Sequence, residues 1–255
     1  MSAAHPDPRT AGPGGTGPDS AGRDSARPDS ARPGTARPGK VVVVGHGMVG
    51  HRFVEALLAR DTAGRWRVTV LSEEPRPAYD RVALSSVFDG ADEESLRLPP
   101  LDASRVDLRL GVQAESVDRA LRVVATSDGE RISYDQLILA TGSYPFVPPV
   151  PGRDADGCFV YRTLDDLAAI KEAAINAMSI EGPVPARPAG VVIGGGLLGL
   201  EAANALRLLG LAPHIVEMAP HLMAVQVTRA AARCSAGWSP TWASRCTAAP
   251  GPRGY

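Results

Sequence analysis

Two glycine-rich turns are the segments of this sequence best suited to chemistry. The first turn, residues 45–50, reads G-H-G-M-V-G, and the second, residues 194–199, reads G-G-G-L-L-G. In a G-x-G-x-x-G turn the first glycine permits a tight bend, the second lets a pyrophosphate approach the backbone, and the third lets helix and strand pack closely. The residues expected to contact dinucleotides here are Gly45, Gly47, Met48, Val49, Gly50, Gly194, Gly196, Leu197, Leu198 and Gly199.

Acidic residues accompany both turns. Glu73 and Glu74 follow an apolar stretch at 67–71, and Glu217 lies 23 residues after Gly194. A carboxylate at the end of the second strand accepts hydrogen bonds from ribose hydroxyls and repels the 2′-phosphate of NADP(H). The second site is therefore expected to favour NAD(H) over NADP(H). The sequence leaves open whether Glu73 or Glu74 serves the first site.

The elements that must position these residues recur in one order: strand, glycine turn, helix, strand, acid. Strands are predicted at 41–44 and 190–193, directly before the turns, and a helix at 200–209 follows the second turn. The helix N-terminus offers free N–H groups and the positive end of its dipole to phosphates. The pattern predicts an α/β fold with two Rossmann-like dinucleotide-binding units.

The region between the two turns predicts a group of short strands and one long helix. The Asp128-Gly129 pair is typical of a hairpin turn between the last two strands. A helix is expected at 164–178, with Thr163 as its N-cap ahead of two aspartates. The predicted strands are 106–110, 112–117, 121–127 and 132–140.

Both ends of the chain differ in composition from the middle. Residues 1–39 contain seven prolines and seven glycines and almost no large apolar side chain, so we expect a disordered extension. Residues 228–255 contain four arginines, no acidic residue, and no Val, Ile, Leu, Met or Phe. This tail cannot supply a buried strand. A shifted reading frame from about residue 228 explains that composition, and a genuine short basic tail is the alternative.

The overall composition excludes several classes of protein. With 27 basic and 28 acidic residues, the chain lacks the basic excess of a nucleic-acid binder. No apolar run is long enough to span a membrane, and three cysteines are too few for a disulfide scaffold or a zinc site. A cytoplasmic protein with no metal site, nucleic-acid partner or membrane partner is expected.

Several segments together resemble a known family. The strings 45–52, 73–81, 140–145, 158–163 and 194–202 are similar to the N-terminal region of flavoprotein reductases with two dinucleotide-binding domains, and in particular to the large subunits of assimilatory NAD(P)H-dependent nitrite reductases. The resemblance implies an FAD-binding unit at 40–150 and an NAD(P)H-binding unit at 151–227. Both units would be incomplete at their C-terminal sides.

The resemblance also implies roles for individual residues in the FAD-binding unit. Arg81 and Ser85 would approach the flavin, and the backbone near Ala114 would meet the adenine. Thr141 and Gly142 would close over the FAD.

In the second unit, the resemblance places Glu201 near the nicotinamide. Hydride would pass from NAD(P)H to FAD, and electrons would then pass to the iron–sulfur and siroheme domains and the small subunit of the intact family. Because the cofactors carry this chemistry, no catalytic side chain is expected.

Two other functions stay open at this point, and one is disfavoured. The open alternatives are a ferredoxin- or rubredoxin-type reductase and a catalytically inactive nucleotide-binding fragment. Disulfide reductases of this kind need paired cysteines beside the flavin, but residues 83–88 contain none. Cys158 stands alone and is expected to be a small buried residue.

Overall fold

The computed structural model describes residues 37–179, 187–224 and 227, together with the backbone of 246–248. Its helices are α1 (Met48–Arg60), α2 (Leu164–Met178) and α3 (Leu197–Leu208), with short 3₁₀ helices η1 (Leu84–Asp89) and η2 (Glu93–Leu96). Its strands are β1 (Gly39–Val44), β2 (Trp66–Ser72), β3 (Val106–Leu110), β4 (Ala114–Asp118), β5 (Val123–Thr126), β6 (Arg131–Ser133), β7 (Gln136–Leu139), β8 (Ala189–Ile193), β9 (Ala212–Glu217) and β10 (Cys246–Ala248).

The first sheet is parallel, with strand order β3-β2-β1-β7. Its strands are apolar on both faces because both faces are covered. On one face Val41 and Val43 pack with Val54 of α1. On the other face Val42 packs with Val124 of the antiparallel sheet β4-β5-β6. This layering fixes the carboxyl ends of β1 and β2, where the first glycine turn and its acids lie.

One predicted strand is wrong in its extent. The single strand expected at 132–140 is two strands, since β6 pairs with β5 and β7 pairs with β1. Asp135 sits between them and accepts a hydrogen bond from the backbone N–H of Lys40, with a donor–acceptor distance of 2.7 Å. That tertiary contact turns the chain from the antiparallel sheet into the parallel one. The hairpin at Asp128-Gly129 is confirmed by the antiparallel β5-β6 pairing.

The second sheet is also parallel, with strand order β10-β9-β8. Helix α3 covers one face of β8 and begins at Leu197, three residues earlier than predicted. The earlier start makes Leu197 and Leu198 the first turn of the helix. The predicted α/β fold with two Rossmann-like units is thus confirmed.

The other face of the second sheet is open. The side chains of Val191 and Ile193 on β8 are 60% and 69% exposed. The corresponding face of the first sheet is covered, and Val42 there is only 1% exposed. The two units therefore share a strand–turn–helix core but differ in what covers the sheet face away from that helix.

The predicted terminal segments fall largely outside the described residues. The extension at 1–39 is described only from residue 37, and of the tail at 228–255 only the backbone of β10 is described. The pairing of β10 with β9 shows that the tail supplies a short strand, although its composition pointed to no buried strand. No helix in the described part of the chain is long and apolar enough to cross a membrane.

Candidate dinucleotide-binding sites

The first glycine turn joins β1 to α1 through backbone contacts that admit no side chain. Gly45 has a φ of +105°, and a Cβ added there would lie 2.2 Å from the carbonyl oxygen of Ala140. A Cβ on Gly50 would lie 2.1 Å from the carbonyl oxygen of Gly45. By contrast, a Cβ on Gly47 would meet nothing within 4 Å. The backbone is therefore tightly packed at Gly45 and Gly50 but leaves free space at Gly47. Close approach by a pyrophosphate requires such space.

The second turn repeats this arrangement at the end of β8. Gly194 has a φ of +111°, and a Cβ on Gly199 would lie 1.9 Å from its carbonyl oxygen. A Cβ on Gly196 would again meet nothing within 4 Å. The third glycine of each turn thus packs against the first, and the second faces open space.

The helices that start at the two turns have no side-chain caps. Gly47 and Gly196 are the N-cap residues of α1 and α3, and neither helix receives a side-chain cap hydrogen bond. Helix α2 differs, because Thr163 and Asp166 form a reciprocal capping box at its start. Uncapped N–H groups and the dipole end of α1 and α3 suit phosphate oxygens. Both turns therefore fit a bound dinucleotide.

Apolar side chains flank the two open turns. Val49 is 74% exposed, and Leu197 and Leu198 are 55% and 62% exposed, while Met48 is half-buried. These are the variable positions of the two G-x-G-x-x-G motifs. The structure leaves three of these four side chains exposed, and their contact with a cofactor stays a prediction.

Glu74 is held by two neighbours. Its carboxylate accepts a hydrogen bond from the hydroxyl of Tyr79 at 2.9 Å and forms an ion pair with Arg81. The guanidinium of Arg81 also lies over the Tyr79 ring, 5.1 Å from its centroid. Burial, and then the hydrogen bond to Glu74, raises the pKa of Tyr79 to about 12, so the hydroxyl stays a donor. The sequence had not marked Tyr79 as part of the site.

Glu73 points in another direction. It is exposed and accepts a hydrogen bond at 2.8 Å from the hydroxyl of Tyr144, which follows Thr141 and Gly142 in the chain. The pKa of Tyr144 is raised by this hydrogen bond. The contact joins the end of β2 to the segment after β7, which carries the predicted residues Thr141 and Gly142.

The remaining predicted residues of the first unit occupy three places. Ala140 and the Thr141 that follows it lie against Gly45, and Gly142 has a φ of +71° beside the guanidinium of Arg162. Ala114 begins β4 and packs near the end of β2. Ser85 is half-buried in η1. Tyr144 and Arg162 were not singled out from the sequence, although both lie in the strings that carry the family resemblance.

In the second unit, Glu217 is tied to the glycine turn. Its carboxylate accepts hydrogen bonds from the backbone N–H of Gly195 at 2.6 Å and of Ala219 at 2.8 Å. The N–H donors of Ala219 and Gly195 lower the pKa of this carboxyl, so it is ionised at neutral pH. The predicted acid therefore stands beside the predicted phosphate turn.

The two units meet where α3 packs against η1. Helix α3 carries Glu201, which is half-buried, and η1 carries Ser85. Tyr161 lies at the same place, with its ring stacked on Phe88 of η1 at a centroid distance of 6.1 Å. The residues predicted for the flavin and for the nicotinamide thus lie on two elements that touch.

Two histidines, one within the first turn and one directly after it, are buried and were not predicted to matter. His46 and His51 are 7% and 3% exposed, and their rings lie 5.5 Å apart. The Nδ1 of His46 and both ring nitrogens of His51 make no hydrogen bond within the described structure. Burial, and then the neighbouring His51, lowers the pKa of His46 to about 4.

The expectation for Cys158 is wrong. The residue is exposed, with its Sγ 3.5 Å from the carbonyl oxygen of Gly152. The surrounding residues 151–158 form turns without apolar cover, so the small side chain has nothing to pack against. The described 3₁₀ helix η1 contains no cysteine. Cys158 therefore has no second thiol at the place where a disulfide reductase needs one.

Sequence comparison defines the class to which these paired sites belong. The sequence model of the family described as Pyridine nucleotide-disulphide oxidoreductase matches residues 39–236. The chain belongs to this family of NAD(P)H-dependent flavoprotein oxidoreductases, whose members bind FAD and NAD(P)H.

Among individual relatives of the chain are the large subunits of two bacterial nitrite reductases. The chain is 53% identical over 190 residues to the nitrite reductase [NAD(P)H] large subunit of Klebsiella oxytoca, covering 73% of this chain and 19% of that protein. It is 44% identical over 191 residues to the nitrite reductase (NADH) large subunit of Escherichia coli K12, covering 74% of this chain and 21% of that protein. The chain thus spans about a fifth of the length of these relatives.

Solved structures share the fold. An NAD-dependent persulfide reductase from A. fulgidus superposes with a TM-score of 0.68 at 25% identity, over 77% of this chain and 37% of that one. Putidaredoxin reductase in its covalent complex with putidaredoxin superposes with a TM-score of 0.65 at 27% identity, over 77% of this chain and 46% of that one.

Proposed function

We propose that this chain is the electron-input module of an assimilatory nitrite reductase large subunit, with FAD at the 45–50 turn and NAD(H) at the 194–199 turn. When both are bound, these cofactors supply hydride transfer from nicotinamide to flavin. The chain's own task is to hold the two rings together. The contact between α3 and η1 carries this proposal, because these elements bear Glu201 and Ser85.

Within the FAD-binding unit, residues 40–150, we assign different roles to the two glutamates. Both oxygens of Glu74 are engaged by Tyr79 and Arg81, so Glu74 orients Arg81 toward the flavin side. Glu73 is exposed and meets only the Tyr144 hydroxyl among the described residues. Glu73 therefore has lone pairs available for the adenosine ribose.

Matched substitutions separate these roles. Glu73→Gln weakens FAD binding by about tenfold, because one charge-assisted hydrogen bond to the ribose is lost. Glu74→Gln releases Arg81 and alters the visible absorption spectrum of the bound flavin. Titration of each variant with FAD, followed by fluorescence, measures affinity and environment together. The assignment is reversed if Glu74→Gln gives the larger loss of affinity with an unchanged spectrum.

Within the NAD(P)H-binding unit, residues 151–227, we propose a preference for NAD(H). The ionised Glu217 beside Gly195 supports it, because a 2′-phosphate there meets a fixed negative charge. Glu201 is assigned to the nicotinamide end. A cytoplasmic location follows from dependence on a reduced nicotinamide cofactor. The partners are the iron–sulfur and siroheme domains and the small subunit of a complete enzyme.

A ferredoxin-type reductase is the second candidate. The chain is 32% identical over 189 residues to rhodocoxin reductase of Rhodococcus erythropolis, of which it covers 42%. Identity to the two nitrite reductases is higher, at 53% and 44%.

For the tail at 228–255, we propose that the composition results from a shifted reading frame. The nucleotide sequence tests it, since the alternative frame must be open and family-like.

The proposed function is tested by loading the purified full chain with FAD and adding reduced nicotinamide without oxygen. NADH is expected to bleach the flavin absorbance, and NADPH to do so more slowly. A chain that binds FAD but whose flavin neither cofactor reduces is an inactive nucleotide-binding fragment. A chain that binds no FAD overturns the assignment of the first site.

A further inference from the structure

Tyr161 carries a polar group that the structure leaves without a partner. Its hydroxyl oxygen is buried and makes no hydrogen bond within the described part of the chain. Buried hydroxyls in native proteins are almost always paired, because an unmade hydrogen bond leaves the desolvation of that group uncompensated. The neighbouring ring stack with Phe88 and the apolar cluster around Leu84 and Leu164 hold the side chain in place. The hydroxyl cannot simply turn to solvent.

Tyr161 stacks on η1, and η1 packs against α3, the helix that carries Glu201. Burial, and then the negative charge of Glu201, raises the pKa of Tyr161 to about 12. The phenol is therefore protonated at any physiological pH and acts as a donor. Glu201 is half-buried on α3, the helix that packs against η1, and no hydrogen bond yet joins it to Tyr161. The hydroxyl thus lacks an acceptor, and Glu201 is a carboxylate on the helix that packs against the element carrying Phe88.

We propose that Tyr161 is a positioning residue for the nicotinamide. When the nicotinamide ring binds, the Tyr161 hydroxyl donates a hydrogen bond to the carboxylate of Glu201. The inference rests on the proposed function, which places Glu201 at the nicotinamide end of the second site. The bond fixes one carboxylate oxygen and leaves the other to accept from the carboxamide N–H of the ligand. It also gives the buried hydroxyl the acceptor that it lacks.

The variant Tyr161→Phe removes the hydroxyl and keeps the ring that stacks on Phe88. Two ligands then distinguish a role at the nicotinamide from an effect on the whole binding site. They are NADH and ADP-ribose, which has the adenosine and pyrophosphate but no nicotinamide. Calorimetric titration of the FAD-loaded full chain is expected to show an affinity for NADH about tenfold lower in the variant. The affinity for ADP-ribose is expected to stay the same.

A second substitution tests the partner. Glu201→Gln lowers NADH affinity by a similar factor, and the double variant loses no more than the larger single loss, because the two side chains act through one bond. Tyr134→Phe is the matched control, since this tyrosine packs beside Val42 in the first unit. It changes neither affinity. Thermal unfolding of Tyr161→Phe is expected at or above the parent temperature, since no paired hydroxyl is lost.

Each of the remaining outcomes overturns the inference. Equal losses for NADH and ADP-ribose mean that Tyr161 is structural, which overturns the inference and leaves the proposed function intact. Unchanged affinities, or fully additive losses in the double variant, overturn it as well. Failure of the parent chain to bind either ligand overturns the proposed second site and this inference together. If the parent chain binds NADH no more tightly than ADP-ribose, then Glu201 does not contribute to binding of the nicotinamide.

Discussion

Gly47 and Gly50 stand three residues apart in the first turn, yet a methyl group added at each meets different surroundings. At Gly50 it would lie 2.1 Å from a backbone oxygen, whereas at Gly47 it would enter open space. A methyl group at Gly50 would force the backbone to shift. A methyl group at Gly47 would clash only with a bound phosphate. We therefore expect Gly50 to be needed for folding and Gly47 to be needed for binding.

This difference gives a prediction. Gly50→Ala lowers the free energy of unfolding by about 3 kcal/mol or more, because backbone packing is broken. Gly47→Ala costs less than about 1 kcal/mol but abolishes FAD binding. Urea denaturation and FAD titration of both variants measure these effects. Equal stability losses at the two positions contradict the assignment, and Gly196→Ala with Gly199→Ala repeats the test in the second unit.

His46 makes stability depend on pH. Its folded-state pKa of about 4 lies below the ordinary value of 6.5. Between these values the unfolded chain takes up a proton that the folded chain excludes, so the free energy of unfolding falls as pH falls from 6.5 to 4. Below pH 4 this contribution no longer changes, and above pH 6.5 it is absent.

Replacing His46 by Asn is expected to remove that contribution. The parent chain should lose on the order of 3 kcal/mol more than the variant between pH 6.5 and pH 4. Urea denaturation of both proteins across that range gives the difference directly. Parallel curves for the two proteins would show that the buried imidazole does not resist protonation.

At the scale of elements, the three α-helices in the described part of the chain differ in how they begin. Helix α2 has the Thr163–Asp166 capping box, so its N–H groups are satisfied within the protein. Helices α1 and α3 begin at glycine and have no side-chain cap. Their first N–H groups remain available for phosphates.

The capping box of α2 is testable by itself. Thr163→Ala lowers the free energy of unfolding by about 1 kcal/mol, because the N–H of Asp166 loses its acceptor. Thr163→Ser keeps the hydroxyl and serves as the control, with little change. Denaturant unfolding measures both variants, and equal stability in all three proteins would show that the cap is dispensable.

Elements with local signals were predictable from the sequence. The bounds of α2 at 164–178 and of β3 at 106–110 agree with the structure, since a cap residue and a bounded apolar run mark them. The division of β6 from β7 was not predictable, because it depends on the contact between Asp135 and Lys40, 95 residues apart. Local propensity carries no information about such a contact.

At the scale of the whole molecule, the two units are unequally covered. Val191 and Ile193 expose the face of the second sheet that lies away from α3. Exposed apolar patches promote association.

We expect the chain to bind a hydrophobic fluorescent dye, and the double variant Val191→Thr, Ile193→Thr to bind less of it. Because both side chains are already exposed, the free energy of unfolding should change by less than about 0.5 kcal/mol for each substitution. Val42→Thr is the contrasting control, because Val42 is buried and its replacement should destabilise. Dye binding that is unchanged in the double variant would place the apolar surface elsewhere.

The sequence by itself determined the two glycine turns, their order along the chain, the acids that accompany them and the α/β class, because each depends on residues within about 25 positions of one another. Only the tertiary structure decided which way Glu73 and Glu74 point. It also decided that Arg162 lies beside Gly142 and that Tyr161 stacks on Phe88. Those outcomes depend on contacts between strands and helices that are distant in the chain. Side-chain direction at a strand end is set by neighbours that packing brings together.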